Sequence, residues 1–258
     1  MISNIIKLSI LAKHELENHN SLKRNLEKLK NRKLDYNILK QLSDKGYAVV
    51  SNFFKTENLD NLVSRLDNFY SRPNRNDKNY RIGGARWQNI EKDFPEIKKI
   101  FFENELIQNI CNSYSKNGVS DFKKIVYQHS YFEKDIQNVS KKQLGLGREW
   151  HCDTWKNEIK LMLFCSNVNE ENGPLRVMPG SHKIFLNPAK LDYTKKILST
   201  IYPSKFDSDK LFFELNDFND KSKAIMGLKG DLAIFNTRCL HKASLISKGN
   251  RKVIWVYF

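Results

Sequence analysis

The 258-residue chain has no Cys-x-x-Cys pair, and its four cysteines, Cys111, Cys152, Cys165 and Cys239, show no disulfide-like spacing. Scattered in this way, they fit reduced thiols in a cytoplasmic protein. Long apolar runs are also missing. Near the N-terminus, Lys7 and Lys13 interrupt Ile5, Ile6, Leu8, Ile10 and Leu11, so neither a secretion-signal core nor a transmembrane span forms. Acidic residues are scarce: 29 Asp and Glu face 44 Lys and Arg, a formal net charge of +15. Such a balance suits an anionic partner. The lysines are spread through the chain, though, and Lys, Asn and Ile are abundant throughout. Without an Arg-rich arm or a nucleic-acid motif, no specific nucleic-acid binding is expected. The partner expected is a small molecule, anionic in character.

Apolar residues make up 40% of the sequence and aromatics 12%, enough for a buried core at this length. Residues 1–45 read as a basic helical segment, with Leu22, Leu26 and Leu29 at spacings of three and four. Gly46-Tyr47-Ala48-Val49-Val50 predicts a turn and a short strand. Thr56 is placed as the N-cap of a helix whose face is Leu59, Leu62, Val63 and Leu66. Residues 71–89, with Pro73 and Gly83-Gly84, read as a polar loop able to line a pocket, and they carry Arg86. Helical spacing returns over 95–115. Beyond Gly118 come short β-branched and aromatic segments: 125–132, 159–168, 175–178, 232–235, 239–244 and 253–258. Residues 183–224, polar and with Pro188 and Pro203, read as an insertion covering the barrel mouth as a lid. Helices ahead of regularly spaced strands give the class α+β, mainly β, with a sandwich, jelly roll or barrel at its core.

The chemistry is concentrated in Arg148-Glu149-Trp150-His151-Cys152-Asp153. Residues two apart in a strand share a face, so His151 and Asp153 can reach one metal ion while Cys152 points the other way. His241 is the best third donor. Two imidazoles and one carboxylate form the facial set that holds non-heme Fe(II) with open positions. An H-x-D triplet alone is weak evidence, and a zinc hydrolase can use the same donor types. Lys160 breaks an otherwise apolar strand and needs either an anionic partner or a route to solvent.

Asn172-Gly173-Pro174-Leu175 and Pro179-Gly180-Ser181-His182-Lys183 follow the H-x-D by about twenty residues. Together with Gly230-Asp231-Leu232-Ala233-Ile234-Phe235 ahead of His241, and Arg251 ten residues after it, they resemble the phytanoyl-CoA dioxygenase family in order and spacing. The likeness runs from Gly46 to the C-terminus. It implies a single domain over 46–258, a double-stranded β-helix of the cupin-like jelly-roll type flanked by helices. It further implies Fe(II) held by His151, Asp153 and His241, with O2 and 2-oxoglutarate as cosubstrates. Arg251 would take the distal carboxylate of 2-oxoglutarate, and Lys160 and Gln128 would be further cosubstrate contacts. The implied reaction is hydroxylation of a small anionic molecule, with release of succinate and CO2. Asp153 stands where related halogenases leave room for halide. Desaturation, radical cyclisation and a non-catalytic jelly-roll binding protein are the alternatives. Arg86, Arg148, Arg176 and Arg238 lie near these motifs and are candidate substrate contacts. His182 is read as stabilising its turn, with no metal role.

Overall fold

A computed structural model describes residues 22–70, 78–114, 118–132, 134, 150–153, 158–186, 211–213 and 221–258. Arg148, residues 1–21 and most of 183–224 lie outside the described residues. The strands are β1 (Tyr47–Val50), β2 (Tyr80–Arg81), β3 (Gly84–Gln88), β4 (Lys124–Tyr131), β5 (Trp150–Cys152) and β6 (Ile159–Phe164). After them come β7 (Leu175–Val177), β8 (Leu211–Phe213), β9 (Lys223–Ile225), β10 (Leu232–Asn236), β11 (His241–Ala243) and β12 (Asn250–Tyr257). The helices are α1 (Lys33–Lys45), α2 (Thr56–Phe69), α3 (Pro95–Phe102) and α4 (Glu105–Tyr114).

The strands form a seven-stranded sheet in the order β1-β10-β6-β12-β4-β3-β2 and a five-stranded sheet in the order β8-β5-β11-β7-β9. The ladders are antiparallel. From β5 to β12 the chain passes back and forth between the sheets, the winding of a double-stranded β-helix. The fold is therefore the mainly β jelly roll flanked by helices that the sequence led us to expect.

Strand parity decides what each sheet face buries. On the larger sheet, Val126, Met162, Phe164, Ala233, Phe235, Val253 and Trp255 point inward and pack against Leu175, Val177 and Ile225 of the smaller sheet. Their alternates, among them Tyr127, Leu161, Leu163, Ile234, Ile254 and Val256, form a second core with the helices. Both faces of the central strands are thus covered, which explains why they read as nearly continuous apolar runs.

Several local expectations change. The stretch read as a loop at 71–89 contains β2 and β3, and β3 pairs with β4 through Arg86↔Gln128. Its polar composition hid a strand one place in from the sheet edge, whose Ala85 and Trp87 are buried. Helix α2 begins at Thr56, but the cap position is Lys55 and no side chain caps it. Residues 22–45 are continuous with the helix-side core, to which Leu22, Ile38, Leu39 and Leu42 contribute. In the stretch read as an insertion, β8 pairs with β5 and β9 with β7, so its described parts extend the smaller sheet.

α1 ends on Gly46, whose φ of +83° is left-handed and whose N–H donates to Leu42 O. A Cβ here would lie 2.0 Å from Cys239 Sγ and 2.7 Å from His182 Nδ1, so only glycine lets the chain turn into β1 at this point.

Candidate metal centre

β5 and β11 are neighbours in the smaller sheet, with His151 directly opposite His241. Asp153 leaves β5 two residues later, on the same face, and its N–H donates to Thr237 O at 3.0 Å. One donor atom from each of His151, Asp153 and His241 lies within 4.8 Å of the other two. His151 Nε2 is 3.6 Å from Asp153 Oδ1, and His241 Nε2 is 3.4 Å from Asp153 Oδ2. His241 Nδ1 donates to Cys239 O at 2.8 Å, which leaves Nε2 as the nitrogen facing the other donors. Both histidines are buried, and Asp153 is nearly so.

The donor set carries its own electrostatic support. Burial alone would raise the Asp153 pKa, but the hydrogen bond from His241 and the charge of Lys160 outweigh it. The carboxyl is held well below the usual range. Lys160 Nζ bonds to Asp153 Oδ2 and lies 4.4 Å from the Tyr257 ring centroid. The anionic partner that Lys160 requires is thus a member of the donor set.

The motif block after β7 serves the second histidine. Ser181 Oγ donates to Met178 O and accepts the N–H of Leu240, the residue before His241. Met178 N–H also donates to Leu240 O. His182 Nε2 donates to Ser43 O at 3.1 Å, and its Nδ1 lies 3.4 Å from Cys239 Sγ. His182 therefore ties the end of α1 to the turn before β11, away from the metal donors.

Arg251 is buried on the inner face of β12, where Val253, Trp255 and Tyr257 follow it at alternate positions. Its Nη1 donates to the carbonyl of Gly173. Gly173 has φ +74°, and a Cβ there would come 2.8 Å from both Ser244 O and Ile246 Cγ1. The Asn-Gly-Pro-Leu block thus seats this arginine. Tyr257 is six residues further along the strand, about 20 Å away. Lys160, opposite Tyr257, and Arg251 therefore stand at different ends of the inner wall.

The remaining candidates separate by strand parity. Arg86 faces inward from β3, and its Nη2 donates to the Tyr257 hydroxyl. Gln128 also faces inward, with its amide bonded to Ser130 Oγ at 3.0 Å and to Trp255 Nε1 at 3.0 Å. Arg176 alternates with the inward Leu175 and Val177, so it lies on the outer face, where it pairs with Glu170 at 2.6 Å. The structure does not bring it to the site. Arg238 is buried in the turn before β11, where its charge acts on Tyr114 and Cys152; Cys152 in turn donates its thiol to Arg238 O. Cys152 points away from the donor set, and burial pushes its thiol pKa up. The sequence reading missed Tyr47, Phe235 and Tyr257 as wall residues. The signal lay in their parity with inward neighbours.

A buried two-histidine, one-carboxylate donor set within a jelly roll, with an arginine on its inner wall, defines a scaffold able to hold a divalent metal with positions left open. Residues 42–253 match the model of the family described as phytanoyl-CoA dioxygenase (PhyH). The chain belongs to that family. The ectoine dioxygenase of Stutzerimonas stutzeri (strain A1501) is 23% identical over 171 residues, 61% of this chain and 54% of that protein. The match thus spans about half the length of that relative. Among solved structures, the epimerase SnoN in complex with Fe3+, alpha ketoglutarate and nogalamycin RO shares the fold at a TM-score of 0.61 and 12% identity. That alignment covers 88% of this chain and 83% of that one. The carbocyclase SnoK from nogalamycin biosynthesis aligns at 0.56 and 13%, covering 86% and 82%. At these identities the likeness is one of fold. No helix among the described residues is long and apolar enough to cross a membrane.

Proposed function

We propose that the chain is an Fe(II)- and 2-oxoglutarate-dependent oxygenase acting on a small molecule. The observation that carries this reading is the convergence of His151, Asp153 and His241 donor atoms within 4.8 Å, in a chain of the phytanoyl-CoA dioxygenase family. The residues fit the group: two imidazoles with nitrogens facing inward and a carboxylate held ionised suit ferrous iron. When bound, iron and 2-oxoglutarate supply oxygen activation, so that substrate C–H, O2 and 2-oxoglutarate become substrate C–OH, succinate and CO2.

The protein's part is to position, to exclude water and to hold charge. His151, Asp153 and His241 would hold the metal. Lys160 anchors one oxygen of Asp153 and thereby orients the other. Arg251, seated by Gly173 O, would grip the distal carboxylate of 2-oxoglutarate with its planar fork. The inward-facing Gln128 is a candidate contact, once its bonds to Ser130 and Trp255 rearrange. The Asp153 carboxylate supports hydroxylation over halogenation, since no place is left for halide. Residues 46–258 act as one oxygenase domain. Four buried free cysteines support a reducing, cytoplasmic setting.

A second reading keeps the same centre but ends in desaturation or radical cyclisation. It is supported by SnoK, a carbocyclase of the same fold. Product analysis separates the two: hydroxylation adds one oxygen to the substrate, whereas the others remove two hydrogens.

The test is conversion of 2-oxoglutarate to succinate by purified protein with Fe(II), in air and under argon. Succinate should form only in air and be lost in His151→Ala. Hydrolysis of added esters that persists under argon and with zinc would instead favour a zinc hydrolase. Folded, iron-loaded protein that turns over no 2-oxoglutarate would leave a binding module.

A further inference from the structure

The larger sheet carries, at its metal end, a row of side chains of which the proposed chemistry uses only Lys160. Reading the registers across five strands, Lys124 of β4 lies opposite Tyr257 of β12, and Tyr257 lies opposite Lys160 of β6. Lys160 lies opposite Phe235 of β10, which lies opposite Tyr47 of β1. Register partners share a sheet face, and Phe235, Tyr257 and Tyr47 all pack with the core between the sheets. The row therefore faces inward. It adjoins the metal donors because Lys160 bonds to Asp153, and because the Phe235 ring lies 5.1 Å from that of His241.

Arg86 reaches into this row from β3. Its guanidinium carbon is 5.7 Å from the Tyr257 ring centroid, and its Nη2 donates to the Tyr257 hydroxyl. Its Nε is buried with no hydrogen-bond partner among the described residues. A buried N–H left unsatisfied costs about 1–3 kcal/mol, so the position calls for an acceptor. Lys124 and Lys160 bring two more ammonium groups to the same ring, 5.4 and 4.4 Å from its centroid. The bordering carboxylates are already engaged, Asp153 by Lys160 and Glu158 by Lys123.

We propose that Arg86, with Lys124 and the Tyr257 ring, forms a substrate subsite that takes a carboxylate or phosphate oxyanion. The apolar part of the substrate lies against the half-buried Tyr47, which is backed by the fully buried Phe235 beside His241. The inference rests on the oxygenase reading and gives it a substrate class: small molecules with an oxyanion at one end and an apolar body. The Nε and Nη of Arg86 present the planar fork that such an anion accepts. Arg251 stands at the other end of the inner wall, so cosubstrate and substrate anions have separate anchors.

The test uses the full chain and three probes: benzoate, phenyl phosphate and uncharged benzyl alcohol. Binding is followed by ligand-detected NMR, first without metal and then anaerobically with Fe(II) and saturating 2-oxoglutarate. One or both charged probes should bind in both conditions, and the stronger of them identifies the anion. Benzyl alcohol should bind at least about tenfold more weakly, the worth of one charge-assisted contact. Arg86→Gln should weaken the charged probes by at least about tenfold, and Arg86→Lys less, with folding checked by circular dichroism. Arg176→Gln on the outer face should bind as the wild type does. Equal binding of benzyl alcohol would overturn the subsite, as would unchanged affinity in folded Arg86→Gln and Arg86→Lys. Displacement of the probes by 2-oxoglutarate would assign the cluster to the cosubstrate and also overturn it. The metal-free arm keeps the two readings apart, since it reports on the subsite even where no iron–2-oxoglutarate complex forms.

Discussion

Lys160 shows how a single side chain can be half legible. Its charge inside an apolar strand signals the need for an anion, and that need is met by Asp153. The identity of the partner depends on which strands lie side by side, and no local pattern carries that information. His151 and Asp153 were legible as a pair because residues two apart share one face of a strand. The arginines were not, since Arg86 and Arg176 differ only in which face of a strand they occupy. Cys152 provides one check at this scale. Lying between two donors in sequence, it turns away from them and bonds to Arg238 O. Cys152→Ala should lower unfolding stability by about 1–2 kcal/mol in urea titrations, through the lost hydrogen bond and a small cavity. It should leave Fe(II) affinity unchanged, and a large loss of affinity would make the thiol a ligand. Arg251→Lys keeps the charge but removes the fork seated on Gly173. The 2-oxoglutarate concentration for half-saturation should rise at least about tenfold, because a single ammonium replaces a bidentate contact.

Among elements, the strands of the two sheets were largely readable, while the edges were not. Central strands buried on both faces give unbroken apolar runs. β3, covered on its outer side only by the two-residue β2, is of mixed polarity, and β8 exists only through its pairing with β5. Both depend on neighbours distant in sequence, which is why the first passed for a loop and the second for part of a lid. The junction between α1 and β1 illustrates the same dependence. Gly46 was legible as a turn, but its contacts with His182 and Cys239 bring in residues some 140 and 190 positions away. Gly46→Ala should lower stability by about 1–3 kcal/mol, from positive-φ strain and the clash with Cys239. Thermal and urea unfolding would measure it, and an effect under 0.5 kcal/mol would mean the junction relaxes freely.

For the molecule as a whole, the jelly roll brings residues from β5, β11 and β12 onto facing walls of one interior. The three donors, spread over ninety positions in sequence, thereby meet within 4.8 Å of one another, while Arg251 lies on the inner face of the larger sheet. The net charge of +15 has a local counterpart in the cations that surround Tyr257, although composition alone could not say where that charge collects. The central claim is that His151, Asp153 and His241 would hold ferrous iron, with 2-oxoglutarate bound beside it. An anaerobic titration with Fe(II) and 2-oxoglutarate, monitored by visible absorption, tests it most directly. The wild-type protein should develop a metal-to-ligand charge-transfer band that is absent in His151→Ala and needs more 2-oxoglutarate in Arg251→Lys. Folded, iron-loaded wild-type protein that forms no such band would contradict the account.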